Sequence, residues 1–435
     1  MESLLIQSIT HPLSATIKIP GSKSLTNRAL LIGALAKGRT SLTNALFSDD
    51  SRYFATALQC LGFEIFANSE NCEYTITGLG GKIPASSAEL FIGNAGTAAR
   101  FLSAFLTLGH GEYILDGDGR MRERPIGDLV ASLKELGANI RAYKPNANNL
   151  DSEIFPPIKI TALGLPGGKT SIPGDISSQF LSALLMVAPY AQKQVEITVS
   201  TKLNSKPYVD MTLGVMEDFG VKIIRDGYAN FVISSGNYHQ VENYPIEPDA
   251  SAASYFFAAP AILGGSVRVE NITRNSRQGD IEFVEILQSM GCKINEGQNF
   301  IEVIAPSSPT DLQGVDVDMS DIPDTAQTLA AIAPFASSPT HIRGIASARV
   351  KESDRISATC TELARLGVPV VEHQDGMTIY PCKFFSQASV QTYNDHRMAM
   401  AFALVGLRIP GVRIENPGCV SKTFPGYFKT LEGLL

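Results

Sequence analysis

The sequence predicts an α/β protein of six similar units shared between two domains, and three observations carry that reading. The first is a recurring phrase, apolar-x-x-apolar-Gly-apolar-x-apolar. It occurs at Leu58–Ile65, Leu133–Ile140, Met216–Ile223, Leu287–Ile294 and, with Pro369 inside it, Leu363–Val370. Its glycines (62, 137, 220, 291 and 367) each mark a helix that ends on a residue able to take positive φ and passes directly into a strand. The second observation is a series of almost wholly apolar helices that open on small polar residues: Ser24–Leu35, Gly96–Leu108, Ser177–Ala188, Ala250–Leu263, Thr325–Ala336 and His396–Leu407. Their starts lie 71 to 81 residues apart, a spacing too regular for chance. The third is the strand signal between helices, as at Tyr113–Leu115, Val195–Val199, Phe231–Ile233 and Val267–Val269.

Each element has a place in this scheme. A helix apolar on every face is expected inside, and its partner with one polar face outside. Alternating strands and helices make the class α/β. The 435 residues exceed what one hydrophobic core supports, so two domains of roughly 200 residues follow, with three units in each. The N-terminal strand, residues 4 to 20, precedes the first complete unit and is expected to cross over and complete the last one. Turn residues cluster at Pro20-Gly21 and from Pro245 to Asp249, where the chain is expected to change domains. The domains are then 21–246 and a discontinuous 1–20 plus 247–435.

Composition narrows the function. With 44% hydrophobic and 18% charged residues the chain reads as an ordinary soluble globular protein, and a net charge of −7 argues against a nucleic-acid partner. The six cysteines are scattered without a CxxC pair, which fits reduced thiols in a cytoplasmic protein. Met1 to Thr10 lacks the basic and apolar regions of a signal peptide, and the longest apolar run, Ala250 to Leu263, is too short to span a bilayer. No membrane partner is expected.

Anion affinity must therefore come from local clusters. Tyr393-Asn394-Asp395-His396-Arg397-Met398 puts two cationic side chains into the first turn of a helix, against the macrodipole. That arrangement makes sense if an anion binds between them. Ser22-Lys23-Ser24-Leu25-Thr26-Asn27-Arg28 repeats it. Gly93-Asn94-Ala95-Gly96-Thr97 leads a strand into the helix that holds Arg100, and its glycines let backbone N–H groups approach a ligand, although a plain turn is an equal alternative. Asp116 to Pro125 carries Arg120, Arg122 and Arg124, a clustering that favours an anion grip over a solvated loop. Ser177-Ser178-Gln179 opens a buried helix where one serine would suffice as a cap. Ser205-Lys206-Pro207-Tyr208 adds hydroxyls and a cation. In Arg349-Val350-Lys351-Glu352-Ser353-Asp354-Arg355, a helix start would set Lys351 and Arg355 in repulsion, so a substrate anion between them is the better reading, with Glu352 an acid/base candidate.

Two motifs fail. Gly167-Gly168-Lys169-Thr170 lacks the first glycine of a phosphate loop, since position 163 is Leu. Asp316 to Asp321 has Asp where a calcium loop needs glycine and Gln327 where it needs Glu. The histidines have no ligand spacing, so no metal or other cofactor is expected.

Assembled, these strings resemble the 5-enolpyruvylshikimate-3-phosphate (EPSP) synthase family from Pro20 to Pro425. The resemblance rests on GNAGT at 93–97, RPIG at 124–127, SSQF at 177–180, SKPY at 205–208, RVKESDR at 349–355 and NDHRMAM at 394–400. It implies the two-domain enolpyruvyl transferase fold of six βαβαββ units, three per domain, with buried parallel helices and an active site in the cleft between the domains. It implies transfer of the carboxyvinyl group of phosphoenolpyruvate to the 5-hydroxyl of shikimate 3-phosphate by addition and elimination, without a cofactor, in a monomer.

The same resemblance assigns roles. Glu352 would serve the methylene carbon, Asp324 the 5-hydroxyl, and Lys23 would share the proton work. Phosphoenolpyruvate would meet Lys23, Asn94, Gly96, Arg124, Gln179, Arg355, His396, Arg397 and Lys422. Shikimate 3-phosphate would meet Lys23, Ser24, Arg28, Ser177, Ser178, Gln179, Ser205, Tyr208, Asp324 and Lys351. The chain departs from the family pattern at Phe101, where relatives usually carry proline, and at Ser347, often asparagine. The sister family that uses UDP-N-acetylglucosamine fits worse, because the 116–127 loop lacks its cysteine and Lys23-Ser24 stands where that family has Lys-Asn. A non-catalytic anion binder of the same architecture would need the cations but neither Asp324 nor Glu352.

Overall fold

The structure is a computed structural model and describes residues 3–143, 154–308 and 311–435. The chain divides into two compact units, residues 21–246 and residues 1–20 with 247–435. Each has its own hydrophobic core.

Among the described residues six small sheets follow one plan, in which a parallel pair of strands is extended by antiparallel neighbours. In the second sheet Ser87–Phe91 runs parallel to His110–Asp116, which pairs antiparallel with Ile158–Leu163 and that with Asn139–Ala142. The buried helix Gly96–Phe105 connects the parallel pair, and the outer helix Gly127–Glu135 leads to the antiparallel strands. Sheets built on Gly168–Ile172 and on Asp316–Asp318 repeat this order. In the first sheet the parallel strand beside Lys37–Thr43 comes from the far end of the same unit, Asn243–Pro245.

The N-terminal segment is two strands rather than one over 4 to 20. Ser3–Leu5 pairs antiparallel with Arg413–Glu415 and completes the last sheet, whereas Leu13–Lys18 runs parallel to Gly265–Glu270 in the fourth. Pro12 lies between them and lacks the backbone donor a continuous ladder would need.

The six apolar helices are inside. Every residue of Ala250–Leu263 is buried, as is Leu25 to Leu35 of Lys23–Leu35. Three of them stop short of their expected ends: Gly96–Phe105, Ser178–Val187 and Ala326–Ile332 each tighten into a 3-10 turn, Leu106–Leu108, Ala188–Tyr190 and Ala333–Phe335. Pro189 and Pro334 sit in two of those turns, where a missing N–H and a clash with the preceding turn end regular α-helix. The sixth helix, His396–Arg408, runs as expected. Among the described residues no helix is long and apolar enough to cross a membrane.

All five glycines of the recurring phrase are left-handed, with φ of 93°, 94°, 87°, 105° and 82° in chain order. Each reverses an outer helix into its strand. At Gly137 a Cβ would also meet Pro166 Cγ at 2.6 Å. Gly137→Ala is therefore expected to destabilise the 21–246 unit by about 1–2 kcal/mol, the scale of forcing an L-residue into this region. A urea titration checks this, and a midpoint equal to that of the parent would contradict it.

Candidate active site

Within residues 21–246 the expected binding residues gather at the starts of buried helices. Ser22 caps Lys23–Leu35 by accepting from the Leu25 N–H at 3.4 Å, which leaves Lys23 in the first turn. A cation there opposes the macrodipole. Asp50 answers it, with Oδ2 3.7 Å from Lys23 Nζ and its side chain only 3% exposed. Ser24 is half-buried beside it.

Arg28, one turn on, is fully buried. It donates to Thr212 Oγ1 at 2.7 Å, the Ser24 carbonyl at 2.9 Å, the Tyr208 carbonyl at 3.1 Å and Ser182 Oγ at 3.4 Å. Burial lowers its pKa to about 10, still cationic at neutral pH. The guanidinium lies 5.3 Å from the centre of the Phe101 ring, so Phe101 forms one wall of the Arg28 site.

Arg124 comes from the 3-10 turn Met121–Glu123 and reaches the glycine-rich turn, donating to Asn94 Oδ1 at 3.0 Å and the Asn94 carbonyl at 3.3 Å. It passes so close to Gly96 that a Cβ there would lie 2.5 Å from Arg124 Nη2. Arg100 ties the same helix start to the loop through the Gly96 carbonyl at 3.2 Å and the Pro125 carbonyl at 3.1 Å. Of the other two arginines of the loop, Arg122 is exposed and pairs with Asp116 at 2.6 Å, and Arg120 has Glu123 as one partner at 2.8 Å.

Ser177 caps Ser178–Val187 by accepting from the Gln179 N–H at 3.3 Å, and Ser178 is buried in the first turn. Gln179 Nε2 lies 3.5 Å from Thr97 Oγ1, bringing two helix starts together. Ser205 has left-handed backbone, φ 56°, and its hydroxyl does not cap the following helix Lys206–Asp218. Tyr208 is half-buried in that helix's first turn.

The other unit holds an acid–cation network centred on Arg355. The string from Arg349 is not one helix start: Ala346–Val350 is a 3-10 turn and the helix Arg355–Arg365 begins after Asp354, its cap. Lys351 is half-buried outside the helix, so the expected i,i+4 repulsion with Arg355 does not arise. Arg355 instead points at three carboxylates: Glu352 at 2.7 Å, Asp395 at 2.8 Å and Asp324 at 3.1 Å. Burial opposes its charge, but Asp395, Glu352 and Asp324 together outweigh that and raise its pKa above the ordinary arginine value. Arg397 binds Asp324 at 2.7 Å through the side chain and at 2.9 Å through the carbonyl. Lys422 closes the ring, 3.6 Å from the second oxygen of Glu352.

Two carboxylates went unassigned in the sequence reading. Asp395 is wholly buried, caps His396–Arg408 by accepting from the Arg397 N–H at 3.0 Å, and receives Ser353 Oγ at 3.0 Å. Its Oδ1 lies 3.6 Å from His396 Nδ1. Its place immediately before the helix was the available signal. Asp50 had none beyond an acidic helix start. Three cations and three carboxylates thus share one network, in which Asp324 and Glu352 each face two cations and Asp395 faces Arg355.

Comparison with known proteins gives the family. The family model for EPSP synthase (3-phosphoshikimate 1-carboxyvinyltransferase) matches residues 7–431. The chain belongs to the EPSP synthase family. Proteins named 3-phosphoshikimate 1-carboxyvinyltransferase from Nostoc punctiforme and Vibrio atlanticus are 50% and 47% identical, over 98% and 100% of both chains. The solved EPSP synthase of Acinetobacter baumannii superposes with a TM-score of 0.80 at 26% identity, covering 99% of this chain and 97% of that one. The six-unit α/β fold is thus the enolpyruvyl transferase fold of EPSP synthases.

Asp395→Ala removes a partner of a buried charge and a helix cap. It is expected to lower stability by about 3–5 kcal/mol, the scale of breaking a buried ion pair, read from a denaturant titration. A change below about 1 kcal/mol, the scale of a lost cap alone, would contradict the buried network.

Proposed function

We infer that this EPSP synthase family member transfers the enolpyruvyl group of phosphoenolpyruvate to the 5-hydroxyl of shikimate 3-phosphate, releasing phosphate, in aromatic amino acid biosynthesis. Beside the family match, the observation that carries the reading is that both expected acids, Asp324 and Glu352, lie in one network with Arg355, Arg397 and Lys422. A protein that only bound anions would have no use for two carboxylates among its cations.

The chemistry assigns work to these groups. Protonation of the methylene carbon leaves cationic character at the adjacent carbon, which the 5-hydroxyl attacks as its proton is removed. The tetrahedral adduct then loses a methyl proton, the carbon–oxygen bond to phosphate breaks, and phosphate leaves. Glu352 gives and retakes the carbon proton; Asp324, with Lys23, handles the hydroxyl proton. Arg355 and Lys422 face one oxygen each of Glu352, which favours the carboxylate that retakes the proton. Arg124, Arg355, Arg397 and Lys422, with Lys23, Asn94, Gly96, Gln179 and His396, hold phosphoenolpyruvate. Ser24, Arg28, Ser177, Ser178, Gln179, Ser205, Tyr208 and Lys351 hold the second substrate. Fixed charges of this kind stabilise developing charge without reorganisation. The reading needs both domains, 21–246 and 1–20 plus 247–435, three βαβαββ units each, to serve one active site. It takes the protein as a cytoplasmic monomer.

Two outcomes test the assignments. Glu352→Ala and Asp324→Ala should bind shikimate 3-phosphate yet lose at least about two orders of magnitude in phosphate release, the scale of general acid/base loss; parent-like turnover in both would defeat the roles. Gly96→Ala, whose methyl would displace the Arg124 guanidinium, should raise KM for phosphoenolpyruvate about tenfold or more, equivalent to losing roughly 1.4 kcal/mol of binding. An unchanged KM would remove Arg124 from that site.

A further inference from the structure

The turn that delivers Asp395, His396 and Arg397 is held in an unfavourable backbone conformation. Tyr393 and Asn394 are consecutive non-glycine residues with φ of 53° and 55°, both left-handed. Such residues persist only where surrounding structure over-determines them. What holds them lies in the helix Arg355–Arg365, on the stripe formed by Arg355, Thr359 and Glu362, spaced four and then three residues apart along one helix face. Arg355 binds Asp395, Thr359 Oγ1 donates to Met398 Sδ at 3.5 Å, and Glu362 takes the strained turn itself.

Glu362 is fully buried although acidic. One oxygen accepts the Tyr393 hydroxyl at 2.7 Å and the other the Gln391 N–H at 3.0 Å; Arg365 lies 3.7 Å away, half exposed. Burial and Glu362 push the Tyr393 phenol up to about 12, so it stays a donor at neutral pH. The far side of the turn is tied by Asn416, itself left-handed, whose Nδ2 donates to Asn394 Oδ1 at 3.1 Å. Sequestering a carboxylate to grip a surface tyrosine is an expensive way to hold a loop unless the loop's aim matters.

We propose that Glu362, through the Tyr393 hydroxyl and the Gln391 N–H, is a positioning residue that locks the Tyr393–Asn394 turn and so aims Asp395, His396 and Arg397 at phosphoenolpyruvate. Arg355 and Glu362 then grip the two sides of that turn from one rigid helix. The proposal rests on the enzymatic reading above and adds a residue that touches neither substrate.

The test compares Glu362→Gln, Tyr393→Phe and the double variant with the parent enzyme, whose turnover of the two substrates is measured first and settles the enzymatic reading separately. Each single variant should raise KM for phosphoenolpyruvate about tenfold or more, within the hundredfold reach of a misplaced group remote from the chemistry. KM for shikimate 3-phosphate should rise less, since the helix start reaches that substrate through Arg397 and Asp324 rather than directly. The double variant should be no worse than Glu362→Gln, because one contact is lost once. Hydrogen exchange, which does not depend on turnover, should accelerate at the backbone amides of residues 391–398 in each variant. Tyr393→Phe keeps the part-exposed ring and removes only its hydroxyl, so it carries the test if Glu362→Gln fails to fold. A parent-like KM in Tyr393→Phe, additive losses in the double variant, equal losses for both substrates, or unchanged exchange would each overturn the proposal.

Discussion

The second unit's site depends on one buried guanidinium. Arg355 cannot shed its charge, and its side chain is 3% exposed, so folding proceeds only with carboxylates delivered around it. Three arrive from separate stretches: Glu352 from the turn before its own helix, Asp324 from the 3-10 turn Pro323–Thr325, and Asp395 from a helix cap. Satisfying Arg355 thereby assembles the acids of the proposed reaction. Lys422 and Arg397 then balance the surplus negative charge, leaving three cations against three carboxylates.

The other unit solves the same problem with fewer charges. Arg28 is as deeply buried but meets hydroxyls, carbonyls and an aromatic face rather than acids. Desolvation therefore lowers its pKa, whereas the carboxylates raise that of Arg355. Phe101 is part of that Arg28 environment.

Much of the architecture was legible because it is written in local pattern. Five helix-ending glycines and six apolar helices report backbone handedness and burial, both of which act over a few residues, and the five glycines are left-handed where the phrase places them. The misses share a cause in contacts between distant positions. Arg122 reads as an anion ligand because the pattern shows charge but not that Asp116 pairs with it. Asp395 and Asp50 went unassigned since nothing local says that Arg355, forty residues away, or Lys23 needs an acid. The N-terminal segment divided at Pro12 for a local reason, but its two pairing partners, near residues 265 and 413, are set by topology.

The measurement that bears most directly on the account is the reaction run in deuterium oxide with phosphoenolpyruvate and shikimate 3-phosphate, followed by proton and phosphorus NMR. Addition and elimination through a methyl-bearing adduct requires phosphate release together with deuterium in the vinyl methylene of the product. Phosphate release with a methylene free of deuterium, or no release at all, would contradict it.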